Sequence, residues 1–192
     1  MNVNKNTVLI SGGSAGIGFE IAKLLTEKGN HVIITGRDQS RLDTAAAKLT
    51  NVTAILFDVT KEEDVDQLVN RIHADFPDLN ILINNAGNAY IYDLISGAKA
   101  WEKADEEIQT NYISLVRLTE KLLPQLRQQE SAAVVNVSSI VVFAPGLNIP
   151  TYSVSKAAVH SYTRILRLAL RETGVKVFEL MPPLVNTEFS KE

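Results

Sequence analysis

Residues 10–18, ISGGSAGIG, follow a short apolar run and open a segment whose apolar residues recur at helical spacing. The glycines Gly12, Gly16 and Gly18 give the spacing G-x-x-x-G-x-G. A strand, a tight glycine turn and a helix start in this order let the backbone approach a pyrophosphate, and the free N–H groups and dipole of the helix stabilise its charge. We therefore predict a dinucleotide site here, with a plain turn as the alternative that a glycine-rich loop alone leaves open.

Short β-branched runs and longer amphipathic segments alternate along the chain. The predicted strands span residues 7–11, 31–35, 52–57, 81–84, 132–138 and 175–180. The predicted helices span residues 16–28, 38–48, 61–75, 101–123 and 151–172. Strand–helix alternation repeated this often builds a parallel sheet with helices on both faces. The sequence thus predicts an α/β fold, a three-layer doubly wound parallel sheet of about six strands.

The bulk composition excludes several classes of protein. With 192 residues, 45% of them hydrophobic and 21% charged, the chain suits a single globular domain over residues 1–192. A net charge of −3 with interspersed signs gives no case for nucleic acid or an anionic membrane surface as a partner. The absence of cysteine excludes disulfides, thiol catalysis and cysteine-based zinc sites.

Neither a targeting signal nor a metal site is evident in the sequence. The N-terminus, MNVNKNTVLI, lacks a basic region followed by an apolar run of signal length, and no apolar stretch reaches about 18 residues. His31, His73 and His160 are scattered among predicted elements and suggest no ligand cluster. We expect a cytoplasmic protein that binds no metal and contacts no membrane.

Six motifs occur in a fixed order along nearly all of the chain. They are the glycine loop, Asp58-Val59, NNAG at 84–87, Asn111, NVSS at 136–139 and Tyr152-x-x-x-Lys156. With these motifs the chain resembles the short-chain dehydrogenase/reductase family. Within it, GGSAGIG, RETGVKVFE and PPLVNTEF are most similar to the bacterial DltE-like oxidoreductases. The resemblance implies a Rossmann fold and an oxidoreductase that interconverts a small carbonyl and an alcohol.

The residues after the second predicted strand indicate which dinucleotide is bound. An acid there would accept hydrogen bonds from the ribose 2′-OH and repel a 2′-phosphate, but no acid occurs until Asp38. Arg37 can bond a 2′-phosphate through two donors, and the Ser14 hydroxyl can add a third. We therefore predict NADP(H) as the cofactor. NAD(H) is the alternative, in which Arg37 merely solvates the loop and Asp38 merely caps a helix.

Tyr152 and Lys156 share one face of a helix because residues i and i+4 are neighbours on its surface. Tyrosine alone, with a pKa of about 10, is a poor acid–base at neutral pH. A partly desolvated lysine ammonium and the positive nicotinamide ring of a bound cofactor favour the phenolate and lower that pKa. Tyr152 is therefore predicted to protonate a carbonyl during reduction, or to remove a hydroxyl proton during oxidation. Taken alone, Y-x-x-x-K is more typical of a solvated helix face.

The resemblance assigns roles to further residues. It implies that Ser139, rather than Ser138, holds the substrate oxygen, and that Lys156 bonds the nicotinamide ribose. It also implies that Asn111 distorts its helix and holds a water that relays protons to Lys156. The expected catalytic residues are Asn111, Ser139, Tyr152 and Lys156. The expected cofactor contacts are Gly12, Ser14, Gly16, Ile17, Gly18, Arg37, Asp58, Val59, Asn85, Ala86, Gly87, Tyr152, Lys156, Pro182, Val185 and Thr187.

One of these assignments has an alternative, and others fall on a loop that differs from that of most relatives. Asn84 to Gly87 can equally serve as polar residues that tie adjacent strands together. After the last predicted strand the chain has Pro182-Pro183 where most relatives have Pro-Gly, so this loop takes a stiffer path. The contacts expected from Val185 and Thr187 depend on the path of that altered loop.

The resemblance also bears on the end of the chain and on its partners. Relatives usually continue with a helical segment that covers the substrate and with a final strand, whereas this sequence stops at Glu192. We expect that strand and lid to be missing, either naturally or because the sequence is trimmed. The two long predicted helices are expected to form the seam of a homodimer. A non-catalytic NADP-binding sensor or partner-binding module is the alternative function.

Overall fold

The computed structural model describes residues 2–183 and contains one six-stranded parallel sheet. The strands are β1 (Thr7–Ile10), β2 (His31–Gly36), β3 (Val52–Leu56), β4 (Leu79–Asn84), β5 (Ala132–Val137) and β6 (Val175–Leu180). Their spatial order is β3-β2-β1-β4-β5-β6. The order reverses between β1 and β4, and ligands bind at the carboxyl ends of strands at such a switch point. The predicted α/β doubly wound sheet is confirmed.

Helices cover both faces of this sheet. They are α1 (Gly16–Glu27), α2 (Gln39–Ala46), α3 (Glu62–Asp75), α4 (Ala100–Ile108), α5 (Ser114–Leu126) and α6 (Pro150–Ala169). One apolar core joins the sheet to α3, α5 and α6, and a second joins it to α1 and α2. Within β1, Leu9 belongs to the first core, while Val8 and Ile10 belong to the second. This burial on both faces explains the unbroken apolar run of β1.

The two long helices differ from their predicted bounds. The helix predicted over 101–123 is two α-helices joined by a π-helical turn, Gln109–Ile113. It ends at Leu126, just past Pro124, which has no N–H to donate to the carbonyl four residues earlier. The helix predicted to end at residue 172 ends at Ala169, because residues 170–174 turn back to enter β6.

Strand β6 lies at one edge of the sheet and is covered on one face. Val175 and Val177 pack into the core on the α6 side. On the opposite face, Phe178 and Leu180 are 50% and 39% exposed. In the part of the chain that the structure describes, no helix is long and apolar enough to cross a membrane.

Candidate active site

The glycine loop packs so tightly that neither Gly12 nor Gly18 has room for a side chain. Gly12 has φ +67°, and a Cβ there would lie 3.0 Å from the Ala86 Cα. A Cβ at Gly18 would lie 2.2 Å from the Gly12 carbonyl oxygen. The Asn85 side chain donates hydrogen bonds to the Ser11 and Gly12 carbonyls (3.1 and 2.9 Å). The end of β4 therefore fixes the loop that follows β1, and Asn85 has the strand-tying role that was one of its two predicted roles.

The start of α1 is suited to an anion. Ala15 at the N-cap provides no side-chain cap, the first turn holds no acid, and no other described residue caps this end. Free N–H groups at a helix N-terminus bind phosphate. A cavity of about 300 Å³ lies beside this end, lined among others by Ser14, Phe19, Arg41 and Lys48. Arg41 and Lys48 were not among the predicted contacts, although both fall in the helix predicted over residues 38–48.

The loops after β2 and β3 hold the residues predicted to read the adenosine. Asp38 accepts a hydrogen bond from the Arg41 N–H (2.9 Å) and so caps α2, as predicted. Arg37 is exposed, and its charge acts on Asp58. Burial raises the pKa of Asp58, but hydrogen bonds from Thr60 together with the charges of Lys61 and Arg37 outweigh it, so the pKa is lowered. The adenine contact expected of Asp58 stays a prediction.

A ladder of buried amides ties β4 to β5 and to the helices beneath. Asn84 Nδ2 donates to the Asn136 Oδ1 and to the Thr119 hydroxyl, each at 2.9 Å. Asn136 Nδ2 donates in turn to the Thr163 hydroxyl (2.9 Å). Asn84 therefore ties neighbouring strands together, which was one of the two predicted roles of the NNAG segment.

Three of the predicted residues meet where β5 ends and α6 begins. Lys156 is 4% exposed, and its ammonium donates a hydrogen bond to the Val137 carbonyl (2.8 Å). The same nitrogen lies 5.6 Å from the centroid of the Tyr152 ring. Tyr152 is 9% exposed, and the Ser139 hydroxyl faces its phenol. A phenol, a hydroxyl and an ammonium in one place can orient a substrate oxygen and exchange a proton with it.

Asn111 lies in the π-helical turn, so the local distortion expected at this residue is present. Its Oδ1 accepts from the Asn88 N–H (2.8 Å), and its Nδ2 donates to the Asn88 carbonyl and the Ser155 hydroxyl (2.9 and 2.8 Å). A Cβ at Gly87 would lie 3.0 Å from Asn111 Oδ1 and 3.6 Å from Lys156 Nζ. The missing side chain of Gly87 thus leaves room between the two residues of the predicted proton relay.

The electrostatics of the pair differ from the prediction. Burial raises the pKa of Tyr152, the contact with Ser139 opposes this, and the charge of Glu107 adds to it, so the pKa is raised and not lowered. Burial also lowers the pKa of Lys156 to about 8. The predicted lowering rested on the ammonium together with the nicotinamide ring of a bound cofactor, whereas burial of the phenol is the largest effect in the chain by itself.

Glu107 was not predicted as a site residue, yet it is buried beside Tyr152. It is 0% exposed, and its Oε1 accepts a hydrogen bond from the Tyr90 N–H (2.8 Å). The available signal was its position four residues before Asn111, which places both side chains on one helix face. Nothing in the pattern told it apart from the exposed acids around it.

His160 and Trp101 lie in different surroundings. The His160 Nδ1 lies 3.0 Å from Glu179 Oε2, and its ring packs edge-on against Phe143. Trp101 is 73% exposed. Sequence separation hides the first contact, because Glu179 belongs to β6.

The last group of predicted contacts follows β6. The Pro182 carbonyl accepts a hydrogen bond from the Ile140 N–H (3.2 Å), which ties this loop to the segment after Ser139. Val185 and Thr187 lie outside the described residues. All the described site residues lie along the carboxyl edge of the sheet, where a parallel sheet of this topology binds its ligands.

Comparisons with known proteins agree with this arrangement. The family model described as short chain dehydrogenase matches residues 6–192. An uncharacterized oxidoreductase of Bacillus subtilis (strain 168), DltE, is 40% identical over 192 residues, which cover 100% of this chain and 76% of that protein.

Two solved structures are similar over almost the whole chain. L-sorbose reductase from Gluconobacter frateurii, complexed with NADPH and L-sorbose, has a TM-score of 0.90 at 28% identity, covering 98% of this chain and 73% of that one. The 3-ketoacyl-(acyl-carrier-protein) reductase from Brucella melitensis, complexed with NADH, has a TM-score of 0.92 at 26% identity, covering 99% and 80%.

Proposed function

The chain belongs to the short-chain dehydrogenase/reductase family, as its motifs indicated, and from that premise we propose that it is an NADP(H)-dependent oxidoreductase. Its substrate is a small carbonyl compound or the matching alcohol. The observation that carries the proposal is the convergence of Tyr152, Ser139 and Lys156 at the sheet edge that also holds the glycine loop. A non-catalytic sensor or partner-binding module would not require this convergence.

The glycine loop fits a dinucleotide, because its backbone is bare and the start of α1 is uncapped by any described residue. When bound, the cofactor supplies or accepts the hydride. During reduction, the Tyr152 hydroxyl gives its proton to the carbonyl oxygen, which the Ser139 hydroxyl orients. The Lys156 ammonium stabilises the phenolate that remains, and Asn111 supports the path by which a proton returns.

The preference for NADP(H) over NAD(H) rests on charge. Arg37 follows β2, and Arg41 and Lys48 line the cavity beside Ser14. Asp38, the nearest acid in sequence, is engaged as the cap of α2. Cations favour a 2′-phosphate, and guanidinium groups can bond it through two donors. The solved relatives point both ways, since one is complexed with NADPH and the other with NADH.

The test is a fluorescence titration of the chain with NADPH and NADH, followed by a panel of small carbonyl compounds. We expect tighter binding of NADPH, and a loss of roughly tenfold in NADPH affinity in Arg37→Gln with NADH unchanged, since one charge-assisted contact to phosphate is worth about 1–2 kcal/mol. Glu20→Gln on the exposed face of α1 is the control for a generic change of charge. Equal affinity for both cofactors would remove the proposed preference.

A homodimer and a cytoplasmic location complete the proposal. The dimer seam would use the exposed faces of α5 and α6, where Ile165 and Leu168 are 62% and 67% exposed. Apolar exposure of this kind is typical of helix faces that pair. Analytical ultracentrifugation of the wild type beside Ile165→Lys tests it, because the lysine should shift a dimer to monomer without changing the fold.

A further inference from the structure

Glu107 is a buried carboxyl for which the proposed reaction has no use. It lies in the last turn of α4, one turn before Asn111, with 0% exposure. Its Oε1 accepts from the Tyr90 N–H (2.8 Å), while Oε2 is buried without a hydrogen-bond partner among residues 2–183. A buried carboxyl that is incompletely paired is destabilising, so its presence requires an explanation.

The loop after β4 docks on three polar side chains of α4, those of Lys103, Glu106 and Glu107. The Tyr90 hydroxyl donates to the Glu106 carboxylate, and the Tyr90 N–H donates to Glu107. The Lys103 ammonium lies 5.9 Å from the centroid of the Tyr90 ring and 5.3 Å from that of Tyr92. Glu106 is exposed whereas Glu107 is buried. Two adjacent acids thus bond the same loop residue, but the buried one alone points inward.

The far end of this loop reaches the first turn of α6. The Tyr92 hydroxyl and the Thr151 hydroxyl are hydrogen-bonded at 2.7 Å. Thr151 directly precedes Tyr152, and its hydroxyl also acts on the Glu107 carboxyl. The loop that Glu107 holds through the Tyr90 N–H is therefore itself bonded to the first turn of α6, and the charge of Glu107 acts on the Tyr152 phenol.

We propose that Glu107 is a positioning residue for Tyr152: its carboxyl holds the loop after β4, which is bonded to the first turn of α6, and places a negative charge beside the phenol. The inference rests on the proposed function for the role of Tyr152 as acid and base. A negative charge beside the phenol disfavours phenolate. Together with burial, which is the larger cause, and against the Lys156 ammonium 5.6 Å from the ring centroid, Glu107 thus favours the protonated form of Tyr152 that reduction uses, and oxidation requires a higher pH.

The charge of Glu107 is itself set by its surroundings. Burial raises the pKa of Glu107, while Thr151 and the Tyr90 N–H lower it. On its own helix, Glu106 raises that pKa and Lys103 lowers it. The net effect is a raised pKa, yet glutamate titrates far below tyrosine, so Glu107 carries its charge over the alkaline range in which Tyr152 ionises.

The experiment follows tyrosine ionisation in the cofactor-free chain by NMR of tyrosine labelled with ¹³C at the ζ position, with the Tyr152 signal assigned from Tyr152→Phe. Glu107→Gln keeps the size and the acceptor for the Tyr90 N–H but removes the charge. We expect the Tyr152 midpoint to fall by roughly half to one pH unit. The matched control, Glu106→Gln, removes the adjacent charge on the same loop contact and should leave the midpoint unchanged.

Turnover supplies the second readout. In Glu107→Gln the pH at which alcohol oxidation reaches half its maximum should fall by the same amount as the Tyr152 midpoint, which loss of packing alone would not produce. An unmoved midpoint in Glu107→Gln, or equal shifts in both variants, would overturn the inference. A shifted midpoint in a chain that reduces no carbonyl would refute the proposed function and leave the placement of Glu107 standing. Should Glu107→Gln fail to fold, Glu107→Asp, which retains the charge at a greater distance, should show a smaller shift in the same direction.

Discussion

The two halves of the sheet meet at the same carboxyl edge but are packed with different kinds of side chain. The nucleotide half, β1 to β3 with α1 and α2, packs apolar side chains such as Val8, Ile34 and Leu42. The catalytic half, β4 to β6 with α4 to α6, buries a chain of polar groups that includes Asn136 and Lys156. The proposed cofactor contacts of the first half include the backbone of the glycine loop, whereas the proposed catalytic contacts of the second half are all made by side chains.

This difference has a consequence for how each half tolerates change. A bare backbone loop needs glycine and close packing, and these depend on a few neighbouring positions. In a buried polar network, each group that a substitution leaves unpaired lowers the free energy of unfolding by about 1–3 kcal/mol. Substitutions should therefore act locally in the nucleotide half and spread further in the catalytic half.

The largest expected effect separates chemistry from nucleotide binding. Tyr152→Phe removes one hydroxyl from the catalytic half, and loss of a general acid slows turnover by roughly 10²–10⁴-fold. NADPH affinity should fall far less than turnover, because Tyr152 is one of many expected cofactor contacts and the glycine loop is untouched. Steady-state kinetics and a fluorescence titration on the same preparation measure both. Carbonyl reduction that survives the change would show that Tyr152 is not the proton donor.

The next effect concerns how far the buried Lys156 amine lowers the free energy of unfolding. Its pKa is about 8 when folded, against 10.5 for an ordinary lysine, so between these values the unfolded chain binds a proton that the folded chain does not. Stability therefore rises with pH through this window and falls as pH drops back through it. Lys156→Met should be more stable than wild type near neutral pH, and the difference should shrink by up to about 3 kcal/mol by the upper end of the window.

Urea unfolding of both proteins at several pH values measures this difference. Lys23→Met, on the exposed surface of α1, is the control and should show a difference that does not vary with pH. A constant difference for Lys156→Met as well would mean that the Lys156 amine is not desolvated in the folded chain.

Gly18→Ala is the counterpart in the nucleotide half. Its Cβ would lie 2.2 Å from the Gly12 carbonyl oxygen and 2.4 Å from Asn85 Nδ2, so the backbone must shift at a cost of about 2 kcal/mol. NADPH affinity should fall roughly tenfold or more, since 1.4 kcal/mol corresponds to a factor of ten. Gly174→Ala, whose Cβ would come no closer than 3.6 Å to another residue, is the control for added volume. Equal affinities in the two variants would argue against the tight loop.

The smallest effect compares two threonines with the same local bond. Thr163 donates to the Val159 carbonyl (2.7 Å) and Thr44 to the Ser40 carbonyl (2.8 Å), each four residues back on a helix. Thr163 also accepts from Asn136 and is buried, whereas Thr44 is exposed. Thr163→Val should lose about 1–2 kcal/mol in chemical denaturation and Thr44→Val less than about 0.5 kcal/mol. Equal losses would mean that the buried ladder adds nothing.

In the nucleotide half, the strands, the helices and the glycine loop were predictable. Its signals are local: an apolar run, glycines at fixed spacing, and Asp38 as a cap before a helix. The catalytic half was predictable where a motif held, as with Tyr152 and Lys156 on one helix face. It was not predictable where the property belongs to an environment, as with the raised pKa of Tyr152.

The sequence by itself determined the α/β class, the glycine loop and the pairing of Tyr152 with Lys156, because each follows from spacing along one element. The tertiary structure decided that Glu107 is buried while Glu106 is exposed, and that His160 meets Glu179. These facts depend on which elements pack together across long stretches of chain. Burial and charge are properties of that packing, and spacing alone carries no record of them.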